Sequence, residues 1–169
     1  MEPLFKNTYT RNNQTAKEFY RYYFYQRPFC KFDTGLHIVI FVLSLPGALL
    51  LDGSFWILTA LSVAFPLLNY LRYRISIGTM LRRDIEMFGQ EAKITLAIDV
   101  DYLQNLEPTE SVPMELSKIK KAVRIKNYYI LITKTKMNIL LHREGFTIGN
   151  EEAFESFLKQ KGIPLKTVR

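Results

Sequence analysis

Two apolar arms interrupt an otherwise mixed sequence. Gly35–Leu51 and Phe55–Leu71 are apolar on all sides, without the polar stripe that a soluble surface helix shows. Asp52-Gly53-Ser54 between them is turn chemistry. Each arm would span about 26 Å as a helix at ~1.5 Å per residue, a little short of a ~30 Å hydrocarbon core. Pro46 and Pro66 lie inside the arms, where a membrane helix accepts a kink that would break a helix in water. The pattern predicts a two-helix transmembrane hairpin over residues 35–71. The bland alternative, a hairpin buried in a soluble core, would need a large shell, and the rest of the chain is too short and too basic to supply one. The apolar block begins well inside the chain and comes as a pair, so a cleaved signal peptide is not expected.

Residues 1–34 form the approach. Leu4–Tyr9 could add a strand to a later sheet. Thr15-Ala16-Lys17-Glu18 has the form of a capping box, which predicts a helix from Thr15 to about Arg27-Pro28. That helix is aromatic, with Tyr20, Tyr22, Tyr23 and Tyr25 beside Phe19 and Phe24. Amphipathic rings favour the headgroup layer. The helix therefore either lies on the inner leaflet or packs its rings against the C-terminal domain. Residues 72–90 read as a helical linker that stops at Gly89.

From Glu91 the period changes from helical to alternating. Ile94, Leu96 and Ile98 share one strand face, Tyr102–Leu106 is a second strand, and Ser111–Met114 is an edge piece. Glu115-Leu116-Ser117 predicts one helical turn. Lys120–Lys126, Tyr128–Thr133 and Met137–His142 follow at hairpin spacing, with Met137, Ile139 and Leu141 on one face. Gly145–Gly149 reads as a turn. Asn150 is an N-cap for an amphipathic last helix carrying Phe154, Phe157 and Leu158, with Gly162 and Pro164 ending it. The expected fold class is an α+β membrane protein: a transmembrane helical hairpin with an antiparallel β domain over residues 91–169, PH-like and closed by the C-terminal helix.

Charge orients this picture. The chain carries +7, yet residues 36–71 hold one charged side chain, Asp52. Lys17, Arg21, Arg27 and Lys31 precede the first arm, and Arg72, Arg74, Arg82 and Arg83 follow the second. Basic residues on the outer flanks and none in the connecting turn predict both termini in the cytoplasm of a multi-pass inner-membrane protein. The interface residues are then Tyr20, Tyr22, Tyr23, Tyr25, Arg27, Lys31, Arg72 and Arg74.

Candidate chemistry is sparse. The single cysteine, Cys30, and the two histidines, His37 and His142, lie far apart in sequence, so no metal or cofactor site is expected. No nucleophile elbow, P-loop or dinucleotide fingerprint occurs. Asp99 and Asp101 lie two apart on a strand-like segment, a spacing that places both on one face. They read as a solvated strand end rather than an acid/base pair. The one feature above background is a basic run without an intervening acid: Lys118, Lys120, Lys121, Arg124, Lys126, Lys134, Lys136 and Arg143. Beside an inner leaflet, anionic lipid is the nearest counter-charge. Nucleic acid is disfavoured, because no recognition helix or stacking motif accompanies the charge.

The order of parts resembles the YcxB-like family of small bacterial membrane proteins. The resemblance is carried by Ser111–Val123, by Asn127-Tyr128-Tyr129-Ile130-Leu131-Ile132 and by Leu140–Phe146. Two positions depart from the family's run: Met114 stands where Trp is frequent after the proline, and Leu141-His142-Arg143 where Pro-Lys-Arg is frequent. The resemblance implies the hairpin and the PH-like domain and names no activity. The expected function is thus non-enzymatic: a membrane protein whose cytoplasmic module docks on membrane lipid, a protein partner or its own copy. The alternative expectation is an immunity or resistance protein against a bacteriocin or another membrane-active peptide.

Overall fold

The computed structural model describes residues 2–50 and 55–168, so the Asp52-Gly53-Ser54 turn lies outside the described residues. The chain forms two compact units, one from residues 1–15 and 83–169 and the other from residues 16–82.

The second unit is helical. Helix α1 (Asn13–Arg21) enters it and runs into a π-helical turn, Tyr22–Gln26. Its cap is not the predicted Thr15. The Asn12 side chain accepts from the Thr15 backbone N–H at 3.0 Å, so Asn12 caps and Thr15 sits one turn in. Arg27 is extended, as a residue before proline prefers. Its guanidinium lies 3.9 Å above the Tyr23 ring.

Helix α2 (Pro28–Leu50) starts before the predicted arm, and helix α3 (Phe55–Phe88) joins the predicted second arm to the helical segment after it. Pro28 starts α2 because the first helical position has no use for an N–H. That gives 23 residues, or about 35 Å. Helix α3 continues through Arg72 and Arg74, over the segment read as helical in the sequence. Gly89 ends it at φ +70°, donating its N–H to the Ile85 carbonyl at 2.8 Å. The contacts Tyr25–Tyr73, His37–Phe65 and Ser44–Thr59 run in opposite order along the two helices, which are therefore antiparallel.

The first unit is built from two sheets and a helix. Its strands are β1 (Phe5–Arg11), β2 (Ala92–Ile98), β3 (Tyr102–Glu107), β4 (Met114–Glu115), β5 (Ile119–Arg124), β6 (Tyr128–Thr133), β7 (Asn138–His142), β8 (Phe146–Ile148) and β9 (Leu165–Thr167), with helix α4 (Glu151–Gln160) before β9. One sheet has the order β4-β3-β2-β1-β8 and the other β7-β6-β5-β9. Pairing is antiparallel except between β5 and β9. A 3₁₀ turn at Leu116–Lys118 leads into β5 as expected.

Three details differ from the sequence pattern. Residues 146–148 are strand β8 rather than part of a turn, because β1 offers them an open edge. Leu165–Thr167 adds a strand that follows Pro164, again on an open edge. Met137 is 58% exposed instead of sharing the inward face; Lys136 before it adopts φ +66°, so Met137 belongs to the β6–β7 turn.

The core lies between the sheets and under α4. Ile94, Leu96, Ile98, Leu131 and Leu141 are buried there with Phe154, Phe157 and Leu158 of the helix. The Phe154 ring meets Phe5 at 5.6 Å, Tyr129 at 5.5 Å and Phe146 at 5.3 Å, so α4 plugs the gap with edge-packed rings. Both ends of α4 are closed. Asn150 accepts from the Ala153 N–H at 2.8 Å. At the other end Gly162, at φ +66°, donates to Lys159 and Ile163 donates to Leu158, the paired bonds of a Schellman ending. Asn150→Ala is expected to cost about 1 kcal/mol. Faster hydrogen exchange confined to α4 in the full-length protein would check it.

Candidate functional site

Only part of the predicted basic run comes together. The β6–β7 hairpin and the start of β5 bring Lys118, Lys120, Lys134 and Lys136 to one end of the second sheet, where the Lys134 N–H donates to the Lys118 carbonyl at 2.8 Å. Arg124, Lys126 and Arg143 sit at the opposite end, where the Arg143 Nη1 donates to the Lys126 carbonyl at 2.8 Å. The six residues of β6 separate the two groups by about 20 Å. Lys121 is half-buried in mid-strand.

The arginine end is not a bare cationic surface. Arg124 pairs with Glu155 at 2.9 Å, and the Nε of Arg143 with Glu151 at 2.7 Å. Between them, the hydroxyl of fully buried Tyr129 donates to Glu151 at 2.8 Å and also contacts Glu155. Burial and the two carboxylates push the Tyr129 hydroxyl far above its ordinary range. Burial alone would raise the Glu151 carboxyl, but hydrogen bonds from Arg143 and Tyr129 outweigh it and hold the group below the usual range. The hydrogen bond to Glu151 raises the Arg143 guanidinium further. This network ties α4 to β5 and β6. The sequence run contains no acid, and the fold supplies two from the helix that follows it.

The lysine end keeps its charge. Lys118, Lys120, Lys134 and Lys136 are exposed. Lys161, at the end of α4, joins them and holds Asp101 at 2.8 Å. A cleft of about 390 Å³ lies here, lined by Lys120, Lys134 and Lys161 above buried Leu116, Ile119 and Ile163. Sequence reading missed Lys161, which lies outside the basic run. It also set Asp99 and Asp101 on a strand, whereas both belong to the β2–β3 turn, with the Asp99 carboxylate accepting from the Val100 N–H at 2.7 Å.

A second corner is polar. Asn7, fully buried, donates to the His142 carbonyl at 2.7 Å and accepts from the His142 N–H at 2.9 Å, clasping β1 to β7. The His142 ring packs edge-on to Tyr128 at 4.8 Å, and its Nδ1 accepts from the Glu144 N–H at 3.2 Å. The Tyr128 hydroxyl is 2.7 Å from that of Thr15. Thr8, Thr10 and Tyr128 line the same cavity as His142. Among the described residues no group of three His, Cys, Asp or Glu side chains is placed to hold a metal ion.

In the helical unit, Tyr20, Tyr25 and Arg27 are half-exposed, Tyr22 is buried, and Tyr23, Lys31, Arg72 and Arg74 are exposed. Tyr25 meets Tyr73 at 5.6 Å, which draws the aromatic approach of α2 and the basic end of the apolar part of α3 together. Helices α2 and α3 are both long and apolar enough to cross a membrane.

No family model, curated protein or solved structure matches this chain. The class that the fold itself defines is an α+β protein with two long apolar helices and largely antiparallel sheets.

Proposed function

We propose that the chain is a non-enzymatic integral membrane protein, in which α2 and the apolar part of α3 cross the bilayer and the two-sheet unit is a cytoplasmic PH-like module that docks on anionic lipid. The observation that carries this reading is the inverted polarity of the hairpin. Its inner residues are small and polar: Ser44, Gly47 and Ala48 on α2, with Thr59 and Ser62 on α3, are buried, and Thr59 donates to Ser44 at 2.9 Å. Its outer residues are large and apolar, with Leu43 71%, Leu50 80% and Ile57 66% exposed. A soluble core helix has the opposite arrangement, whereas helices packed in lipid meet through small residues and hydrogen bonds. Each such Leu or Ile gains about 1.5–3 kcal/mol on leaving water, and these side chains find no protein cover in the hairpin.

The positive flanks give the orientation, with the β unit inside, and the YcxB-like order of parts supports the PH-like assignment. Carbonate-washed membranes should retain the full chain. Recovery of monodisperse protein in buffer without detergent overturns the reading. In a Cys30→Ala background, Ser54→Cys should react with an impermeant maleimide added to intact cells, and Lys166→Cys only after lysis. The reverse pattern rejects the orientation.

A further inference from the structure

We propose that the cleft between the 3₁₀ turn, the β6–β7 turn and the end of α4 is a phosphate-binding site. As a lipid contact it rests on the membrane reading above; as a phosphate site it stands on the sheet unit alone. The cleft of about 390 Å³ has an apolar floor of Leu116, Ile119 and Ile163, all buried, and is lined by three lysines, Lys120, Lys134 and Lys161. These lysines come from three separate elements, so the fold and not a local charge run assembles them.

Two features build the site. Strand β5 is bulged at its start: Ile119 pairs with Thr133 and Lys121 with Ile132, which leaves Lys120 as the extra residue. A bulge re-aims a side chain and is over-represented beside functional sites. The second feature is the ending of α4. Its Schellman bonds occupy the Leu158 and Lys159 carbonyls, so these acceptors are not presented bare to an anion at a helix end that otherwise favours cations.

The ligand class follows from the donors. Lysine binds phosphate as a compact point charge, without needing the planar fork of arginine. With Asp101 as the one lining acid, the cleft carries a net charge of about +2, which matches a phosphate monoester better than a monoanion. Asp101 holds Lys161 at 2.8 Å and acts as an internal competitor that an arriving phosphate displaces. The space exceeds one phosphate, so the group it belongs to, a lipid glycerol or a soluble metabolite, has room.

The test is a titration of inorganic phosphate into the full chain in phosphatidylcholine nanodiscs, read by amide shifts of Lys120, Lys134 and Gly162. Saturable shifts are expected. Lys120→Gln and Lys134→Gln should each weaken binding about threefold to fivefold, the upper part of the range for one exposed ion pair. The charge-matched control Lys126→Gln, at the far end of the sheet, should leave it unchanged. Asp101→Asn should tighten binding, and Asp99→Asn, with the same net charge, should not. Non-saturable shifts, or equal effects from the controls, overturn the proposal. Discs doped with phosphatidic acid separate the sources: loss of the response to added phosphate identifies a lipid headgroup, and an unchanged response identifies a soluble phosphorylated ligand. A chain that proves soluble without lipid can be titrated in plain buffer, so failure of the membrane reading and failure of the cleft give different results.

Discussion

Arg11→Leu is expected to destabilise the sheet unit by about 3–5 kcal/mol. Asp84 is 1% exposed, yet it carries a carboxylate. Arg11, at the end of β1, meets it with two parallel hydrogen bonds, one from Nε at 2.7 Å and a closer one from Nη2. A carboxylate taken out of water needs such a partner, and the bidentate fork supplies charge and geometry together. Leucine leaves the carboxylate buried and unpaired, which is where the cost arises. The pair itself adds much less than its removal costs, because desolvation of both groups offsets the attraction. The double variant Arg11→Leu/Asp84→Leu should therefore recover most of the loss. Pulse proteolysis of the full chain in detergent, with urea as denaturant, reads both results. A single variant as stable as the parent, or a double variant no better than the single, would show that the pair is solvated rather than buried.

Asn7→Ala should cost about 3 kcal/mol, through loss of two hydrogen bonds and exposure of their unmet partners. The side chain is fully buried and satisfies both main-chain groups of His142. Alanine leaves a buried N–H and C=O unpaired, each at about 1–3 kcal/mol where water cannot reach. The neighbouring bond from the Thr8 N–H to the Gly145 carbonyl, at 2.7 Å, should weaken with it. Hydrogen exchange localises the effect: amides at Thr8, His142 and Phe146 should exchange much faster, while those of Leu131 on β6 follow only the global change. Uniform acceleration everywhere would mean that Asn7 holds the whole unit and not the corner between the sheets.

These two positions also show where sequence reading runs out. Elements set by local chemistry are legible: the alternation of Ile94, Leu96 and Ile98, the Asn150 cap, the Gly89 and Gly162 stops and the 3₁₀ turn before β5 all follow from neighbours in the chain. Arg11 and Asp84 are 73 residues apart, and Asn7 and His142 are 135 apart. Nothing local distinguishes these polar residues from surface ones. Strands β8 and β9 were illegible for a related reason, since three residues carry too little alternation and become strands only because an edge awaits them. The basic run was legible as composition but not as a surface. Glu151 and Glu155 neutralise its arginine end, and Lys161 enlarges its lysine end, both from α4. In the hairpin, both arms and the helical run from the second arm to Gly89 were legible, and the upstream start of α2 at Pro28 was not.

The pairing of β1 with β2 has a topological consequence. Arg11 lies opposite Ala92 in one sheet, so the polypeptide between them must leave and return on the same side of any bilayer it enters. An odd number of crossings between these residues is incompatible with the sheet, whatever the flanking charges dictate. The ribosome also delivers β1 roughly eighty residues before its mate, several seconds at typical synthesis rates of about 5–20 residues per second. The first strand therefore waits as an orphan edge until the intervening helices have been made.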